Sequence, residues 1–341
     1  MEIMKRVLKL SIIFSMSLIF LSYSHQLSKE ITKEVPNNNE QLVRVETPEK
    51  AKSLENVPTT EEIVSTLCSD EFEGRLVGSE GNAKAGEYIS NIYKEIGLAP
   101  FFKDNYYEPY TQAVFKSSGY NGSNDKPERK EVNNVIGVIK GKDSKKAVII
   151  SSHFDHIGYV NGKIIRGALD NASGMAALIK IANNLKERSI EKPFDMDIII
   201  CAFNGEECGS LGSQMFVAEL KPKDAYESLY NINIDSICSN NGGKLALKSK
   251  SKVSDKLYDA IKTSMRNSNI EFEDTTVKGV SDHLSFERAH IPNVFIVQEG
   301  IENLVHKPTD IPDTLDYEQL DNIANAVINF VEINNGVNFQ N

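Results

Sequence analysis

Cysteine is scarce in this 341-residue chain: Cys68, Cys201, Cys208 and Cys238 are too few and too scattered for a disulfide framework. No two of them have the C-x-x-C spacing of a metal clip, so they are expected as small buried hydrophobes. If one pair closes, Cys201 with Cys238 is the expected one, because both lie in or beside strands of the core. Basic residues are also in deficit, 38 Lys and Arg against 48 Asp and Glu, a formal net charge of −10. With those cations spread along the chain, no face could neutralise a phosphate backbone, which excludes nucleic acid and anionic lipid as main partners. Histidine is scarce too, with six in all, and two of them stand three residues apart in "SSHFDHIG", residues 151–158.

The chain is 40% hydrophobic and 25% charged, a composition that supports a globular domain of good size. Its first residues carry Lys5, Arg6 and Lys9, then an apolar run from Leu10 to Leu21 that is short for a bilayer span. This predicts a secretory signal over residues 1–24, with cleavage after Ser24, and a catalytic part outside the cytoplasm. An uncleaved segment would leave a membrane anchor there and nowhere else. Residues 25–57 mix Glu, Lys, Asn and Pro without a period and read as a disordered linker.

From Pro58 to about residue 335, apolar runs alternate with amphipathic helices. "NNVIGVIKG", "AVIISSH", "MDIIICAFN", "YNINIDS" and "NVFIVQE" are short and almost continuously apolar, as strands buried on both faces are. "AKAGEYISNIYKEIGL" lines Ala85, Tyr88, Ile89, Ile92 and Ile96 along one helical stripe and stops at Gly97, a C-cap residue. "YEQLDNIANAVINFVEI" follows Asp316, with Gln319 three residues on, a capping-box pattern. The expected fold class is α/β, a three-layer αβα sandwich with a mostly parallel, mixed central sheet. Residues 102–131 break the alternation and predict an edge strand or hairpin followed by a surface loop.

In an open α/β sheet the loops at the carboxyl ends of the strands converge on one crevice. Here those loops carry His153 and Asp155, Asp170, Glu206 and Glu207, Asp235, and His306. So many acids in one place would repel and force protons onto each other unless cations joined them. Imidazole and carboxylate without thiolate suit zinc, or less specifically cobalt or manganese. Two histidines and three carboxylates could supply two zinc ions bridged by one carboxylate and a hydroxide.

"HFDH", "GALDNASG", "CAFNGEECGSLGS", "NIDSI", "SDHLSF" and "HKPTDIPDT" stand in the order and approximate spacing of the zinc aminopeptidases of peptidase family M28, and "EGRLVGSEGNAKAGEYISNIYKEIGL" resembles that family's opening segment. The resemblance covers roughly residues 60–335. It implies an exopeptidase of the zinc-exopeptidase fold with two zinc ions per chain, acting on peptide substrates. It further implies that Asp170 bridges the metals, that His153 and Asp235 hold one and that Glu207 and His306 hold the other. Glu206 matches the general base, and Asp155 the acid that orients His153. His283 takes the place of a donor to the substrate carbonyl oxygen, although the proline usual in that motif is Ser285 here. A cis peptide is implied between Asp170 and Asn171. The same fold hosts one-zinc glutaminyl cyclases, carboxypeptidases, for which Arg166 or Lys278 could hold a substrate carboxylate, and non-catalytic binding modules.

The remaining histidines and acids have plainer expectations. His156 is expected to hydrogen-bond within its loop, His290 to be structural, and His25 to belong to the signal or linker. Cys208 is expected as a packed thiol. Asp310 and Asp313 are expected as cap and turn residues, one of them available to support His306.

Overall fold

The computed structural model describes residues 57–115, 126–143, 145–220, 226–248, 251–274 and 279–340. The expected signal (1–24) and nearly all of the expected linker (25–57) lie outside these residues, as does Lys278. The described chain opens with helices α1 (Thr60–Leu67) and α2 (Glu80–Ile96). Strands β1 (Ala99–Pro100), β2 (Tyr107–Val114), β3 (Glu128–Ile139) and β4 (Lys146–His153) come next. A small hairpin, β5 (Tyr159–Val160) and β6 (Lys163–Ile164), precedes α3 (Ser173–Glu191) and β7 (Asp197–Phe203). Then follow α4 (Leu211–Leu220), β8 (Ser228–Ile234), β9 (Leu245–Lys248), α5 (Asp255–Asn267) and β10 (Phe272–Asp274). The chain closes with α6 (His283–Arg288), β11 (Asn293–Gln298) and α7 (Tyr317–Ile333).

Among the described residues nine strands form one mixed sheet in the order β1-β3-β7-β4-β8-β11-β9-β10, with β2 also paired to β3. Its centre is parallel: β4 lies between β7 and β8, and β8 is parallel to β11. Strands β2 and β3 form the expected antiparallel hairpin, eight residue pairs long from Tyr107↔Val135 to Val114↔Glu128. Every residue of β7 and β11 is buried, which is why these strands read as unbroken apolar runs. The two-residue period shows only in which core each side chain enters. Ile198, Ile200 and Ala202 join the core that holds α3 and α7, while Ile199, Cys201 and Phe203 join the one that holds Phe216 and Phe286 of α4 and α6. Cys201 and Cys238 consequently sit in cores on opposite faces of the sheet, and all four cysteines are free, so the expected pairing does not form.

Helix ends follow the signals in the sequence. Gly97 adopts φ 76° at the end of α2, the left-handed conformation that costs glycine least. The Asp316 side chain accepts the Gln319 N–H at 2.9 Å at the start of α7. Arg75 is the largest of the fully buried side chains, with 0% of its surface exposed. Its guanidinium donates to the carbonyls of Leu67 (2.6 Å), Phe154 (2.8 Å), Arg166 (2.8 Å) and Gly167 (2.9 Å). One side chain thus ties the end of α1 to the residue after His153 and to the loop before Asp170. Removing it strands several buried acceptors, each worth about 1–3 kcal/mol. Arg75→Met should therefore lower the thermal midpoint of the metal-free protein by roughly 6–12 °C, and a change below about 2 °C would show that the clamp does not support the fold.

Candidate metal centre

Because β4, β7, β8 and β11 run in one direction, the residues that follow them gather at one edge of the sheet. His153 is the last residue of β4, and its ring is 1% exposed. Its Nε2 lies 3.3 Å from Asp235 Oδ1, just past β8, and 3.4 Å from Asp170 Oδ1. The other oxygen of Asp170 faces away from His153: Oδ2 is 3.0 Å from His306 Nε2. The same His306 nitrogen lies 3.1 Å from Glu207 Oε1. Two donor groups result, His153–Asp170–Asp235 and His156–Asp170–Glu207–His306, each with its ligand atoms within 4.8 Å of one another. Asp170 belongs to both. All donors are imidazole nitrogen or carboxylate oxygen, the set that zinc accepts, and no thiolate is among them.

The loops are held by their own polar contacts. Asp170 precedes a cis peptide bond to Asn171. The Asn171 amide donates to Ser152 Oγ at 3.0 Å and accepts the Ser236 N–H at 3.1 Å, joining the ends of β4 and β8. Asp310 accepts the N–H groups of Leu169 (2.6 Å) and Asp170 (3.3 Å), so it supports the Asp170 loop. Asp155 departs in part from its expected role. The His153 Nδ1 lies 3.2 Å from the Asp155 backbone oxygen and 3.6 Å from its carboxylate. That carboxylate accepts the N–H groups of Glu206 (3.1 Å) and Glu207 (3.2 Å). The preceding turn rests on β2 and β3, where Tyr110 donates to the Asn204 carbonyl (2.7 Å) and Asn204 N–H donates to Asn134 Oδ1 (2.9 Å). Gly205 has φ 75°, and a Cβ there would fall 2.2 Å from Gln112 Oε1.

Electrostatics divides the site. Burial alone would lower the His153 imidazolium, but Asp235, Asp155 and Glu206 hold it well above the usual range. Burial likewise opposes His306, yet Asp170 and Glu207 carry it up to about 11. His156 goes the other way: burial, with Arg75, His306 and His153 adding to it against the pull of Asp170, depresses its ring to about 3, so it is a neutral imidazole. Burial pushes the Glu206 carboxyl well above its ordinary value; His153 opposes this, while Asp235 and Glu207 add to it. Glu206 belongs to neither donor group.

Two histidines, His283 and His156, have surroundings that the sequence does not predict. His283 does not reach the donor groups: its ring is 0% exposed and stacks on Phe295, with ring centroids 4.4 Å apart. Its neighbour Asp282 feels the charges of His153, Asp155 and Asp235, with burial raising its carboxyl to about 7. His156 does not stay within its loop, because its Nδ1 lies 2.8 Å from Glu207 Oε1. The one signal for His156 in the sequence is its spacing of three from His153. His290 is exposed and outside the site, and Cys208 packs beside Tyr110 and Val132 as a thiol raised by burial to about 12.

A model of peptidase family M28 matches residues 134–331. The chain is 27% identical over 203 residues to aminopeptidase YwaD of Bacillus subtilis (strain 168), an alignment that covers 57% of this chain and 43% of that protein. It spans under half the length of this and the next curated relative it matches. In fold it is similar to a zinc aminopeptidase from Bacillus subtilis, with a TM-score of 0.62 and 16% identity over 82% of this chain and 96% of that one. It is equally similar in fold to Porphyromonas gingivalis glutaminyl cyclase, with a TM-score of 0.63 and 19% identity over 83% and 99% of the two chains. The family match covers more than half of the sequence and the ordered motifs fall within or beside it: the chain belongs to peptidase family M28.

Proposed function

We propose that this protein is an exported dinuclear zinc aminopeptidase that removes N-terminal residues from peptides. The observation that carries the reading is the Asp170 carboxylate, whose two oxygens face two separate donor groups. His153, Asp170 and Asp235 would hold one zinc, and Asp170, Glu207 and His306 the other. Zinc at such a centre supplies Lewis-acid polarisation of a carbonyl and a water acidic enough to act near neutral pH. Glu206 lies beside both groups without joining either, and burial raises its proton affinity. Its carboxylate accepts the proton given up by the attacking water and returns it to the leaving amine nitrogen. Asp155 fixes where that carboxylate starts from, through the two backbone N–H groups it accepts.

Against a carboxypeptidase, Arg166 is already engaged, donating to Cys68 O and Asp70 Oδ1, both at 2.6 Å. Against a one-zinc cyclase, both donor groups are complete. Hydrolysis of amino-acid p-nitroanilides, and of their N-acetylated forms, by the full chain with metal counted separates the readings. Two zinc per chain with chelator-sensitive cleavage of only the free-amine substrates supports the aminopeptidase. One zinc with cyclisation of N-terminal glutamine, or cleavage of N-blocked but not C-blocked peptides, would overturn it.

Glu206→Ala should keep both metals and lose turnover by roughly 10²–10⁴-fold; substantial kcat retained would remove Glu206 from proton transfer. The metal-free site binds protons where the metals belong, because the acids around them raise His153 and His306. Ligation needs the neutral rings, so zinc uptake at neutral pH should release protons and apparent zinc affinity should rise with pH. Calorimetry in buffers of different ionisation heat measures the number released; none, or net proton uptake, would contradict the ligand assignment.

A further inference from the structure

Building on the metal-centre reading above, we propose that His156 is itself a metal ligand, completing four protein donors at the position shared by Asp170, Glu207 and His306. The opposite position keeps three: His153, Asp170 and Asp235.

The donor spacing is the first ground. Four ligand atoms placed tetrahedrally about a zinc at its usual bond lengths lie roughly 3.3–3.4 Å apart. His156 Nδ1 is 2.8 Å from Glu207 Oε1 and 4.0 Å from Asp170 Oδ2; His306 Nε2 is 3.0 Å and 3.1 Å from Asp170 and Glu207. These separations straddle that tetrahedral edge and bracket the 3.3 and 3.4 Å of the three-donor group.

A second ground is the confinement of the ring. His156 is 0% exposed. Its backbone N–H is held by the Arg75 carbonyl at 3.1 Å. Behind the ring lies Gly167, where any Cβ would fall 2.5 Å from Cδ2 and 2.7 Å from Cγ. The glycine is what admits the ring here, with Nδ1 toward Glu207 and Asp170.

The third ground is hydrogen bonding. The opposing role is a supporting one, in which Nδ1–H donates to Glu207. His156 Nε2 is buried with no hydrogen-bond partner among the described residues, in either role. In the supporting role Nδ1–H makes a single bond, to a carboxylate oxygen already facing His306; as a ligand Nδ1 would bond a cation instead, the stronger compensation for burying the ring.

Unequal donor counts have a chemical consequence. Four protein ligands make a closed zinc position and three leave one open. Room for water or substrate is therefore greater on the side of His153 and Asp235, two of the charged neighbours of Glu206, whose others include Glu207 of the opposite side.

The test uses the full chain, stripped of metal and titrated with cobalt(II), in wild type and His156→Ala. Wild type should take two equivalents. The variant should hold one with unchanged affinity and the other at least about tenfold more weakly, with loss of the corresponding cobalt absorption. The deciding readout is the ¹⁵N shift of His156 Nδ1 in zinc-loaded wild type, which distinguishes a metal-bound nitrogen from a protonated one and does not depend on the variant folding. A metal-type shift supports the proposal. A protonated Nδ1 overturns it, even where the variant binds metal weakly, and so does a variant with two unchanged sites. A wild type that takes up no metal would instead refute the metal-centre reading on which the proposal rests.

Discussion

Carboxylates converging on one buried edge of a sheet are unfavourable unless something answers each charge, and this constraint organises the crevice. Backbone N–H groups answer two of them: Asp155 takes those of Glu206 and Glu207, and Asp310 takes those of Leu169 and Asp170. Asp235 is answered by His153 and by the Ser236 hydroxyl, which together hold its carboxyl below its usual value despite burial. Asp170 faces imidazole nitrogens on both sides, and Glu207 faces two imidazoles. In the metal-free protein protonated His306 answers these two acids, and a divalent cation in its place would answer them more strongly.

The sheet makes that convergence possible and Arg75 fixes its register. Parallel order at the centre of the sheet brings the carboxyl ends of β4, β7, β8 and β11 to one edge. Parallel strands alone leave the loops free to fray. By donating to Leu67, Phe154, Arg166 and Gly167 at once, Arg75 couples the segment just after His153 to the segment just before Asp170. A buried guanidinium bonded only to carbonyls is expensive to desolvate. Its cost is offset by fixing loops whose own contacts are short and polar.

How much of this is legible in the sequence depends on how local each cause is. Strands, the Gly97 cap and the Asp316 cap are readable because burial on both faces and capping chemistry act over a few residues. The convergence of His153, Asp170, Glu207, Asp235 and His306 is readable for the same reason, since each stands in a short motif of its own at or after a strand. His156 is not readable that way. The backbone past His153 is directed by the carbonyls of Arg75 and Gly74, and the ring by Gly167, all remote in sequence. The surroundings of His283 are not readable either: six contiguous letters place it beside the site, while its ring stacks on a partner from another strand, Phe295. The separation of Cys201 and Cys238 depends on which face of the sheet each enters, which neither residue's neighbours reveal.

The adjacent pair Glu206 and Glu207 shows how one short turn can give two identical side chains different work. Both backbone N–H groups are held by the same carboxylate, so the two residues share an anchor. Immediately after them the chain turns tightly, with Gly209 N–H donating to Glu206 O and Ser210 N–H to Gly205 O. Successive side chains on such a turn diverge, as they do on a helix. Glu207 therefore meets His156 and His306, while Glu206 has His153 and Asp235 as its electrostatic neighbours. Glu207 sits against two imidazole rings, where a carboxylate can share a cation with them. A proton carrier must be able to regain its proton, and Glu206 sits where burial and two further acids favour that instead. Exchanging the two environments would require moving Asp155, and with it the end of β4, so the division of labour is built into the strand that carries His153.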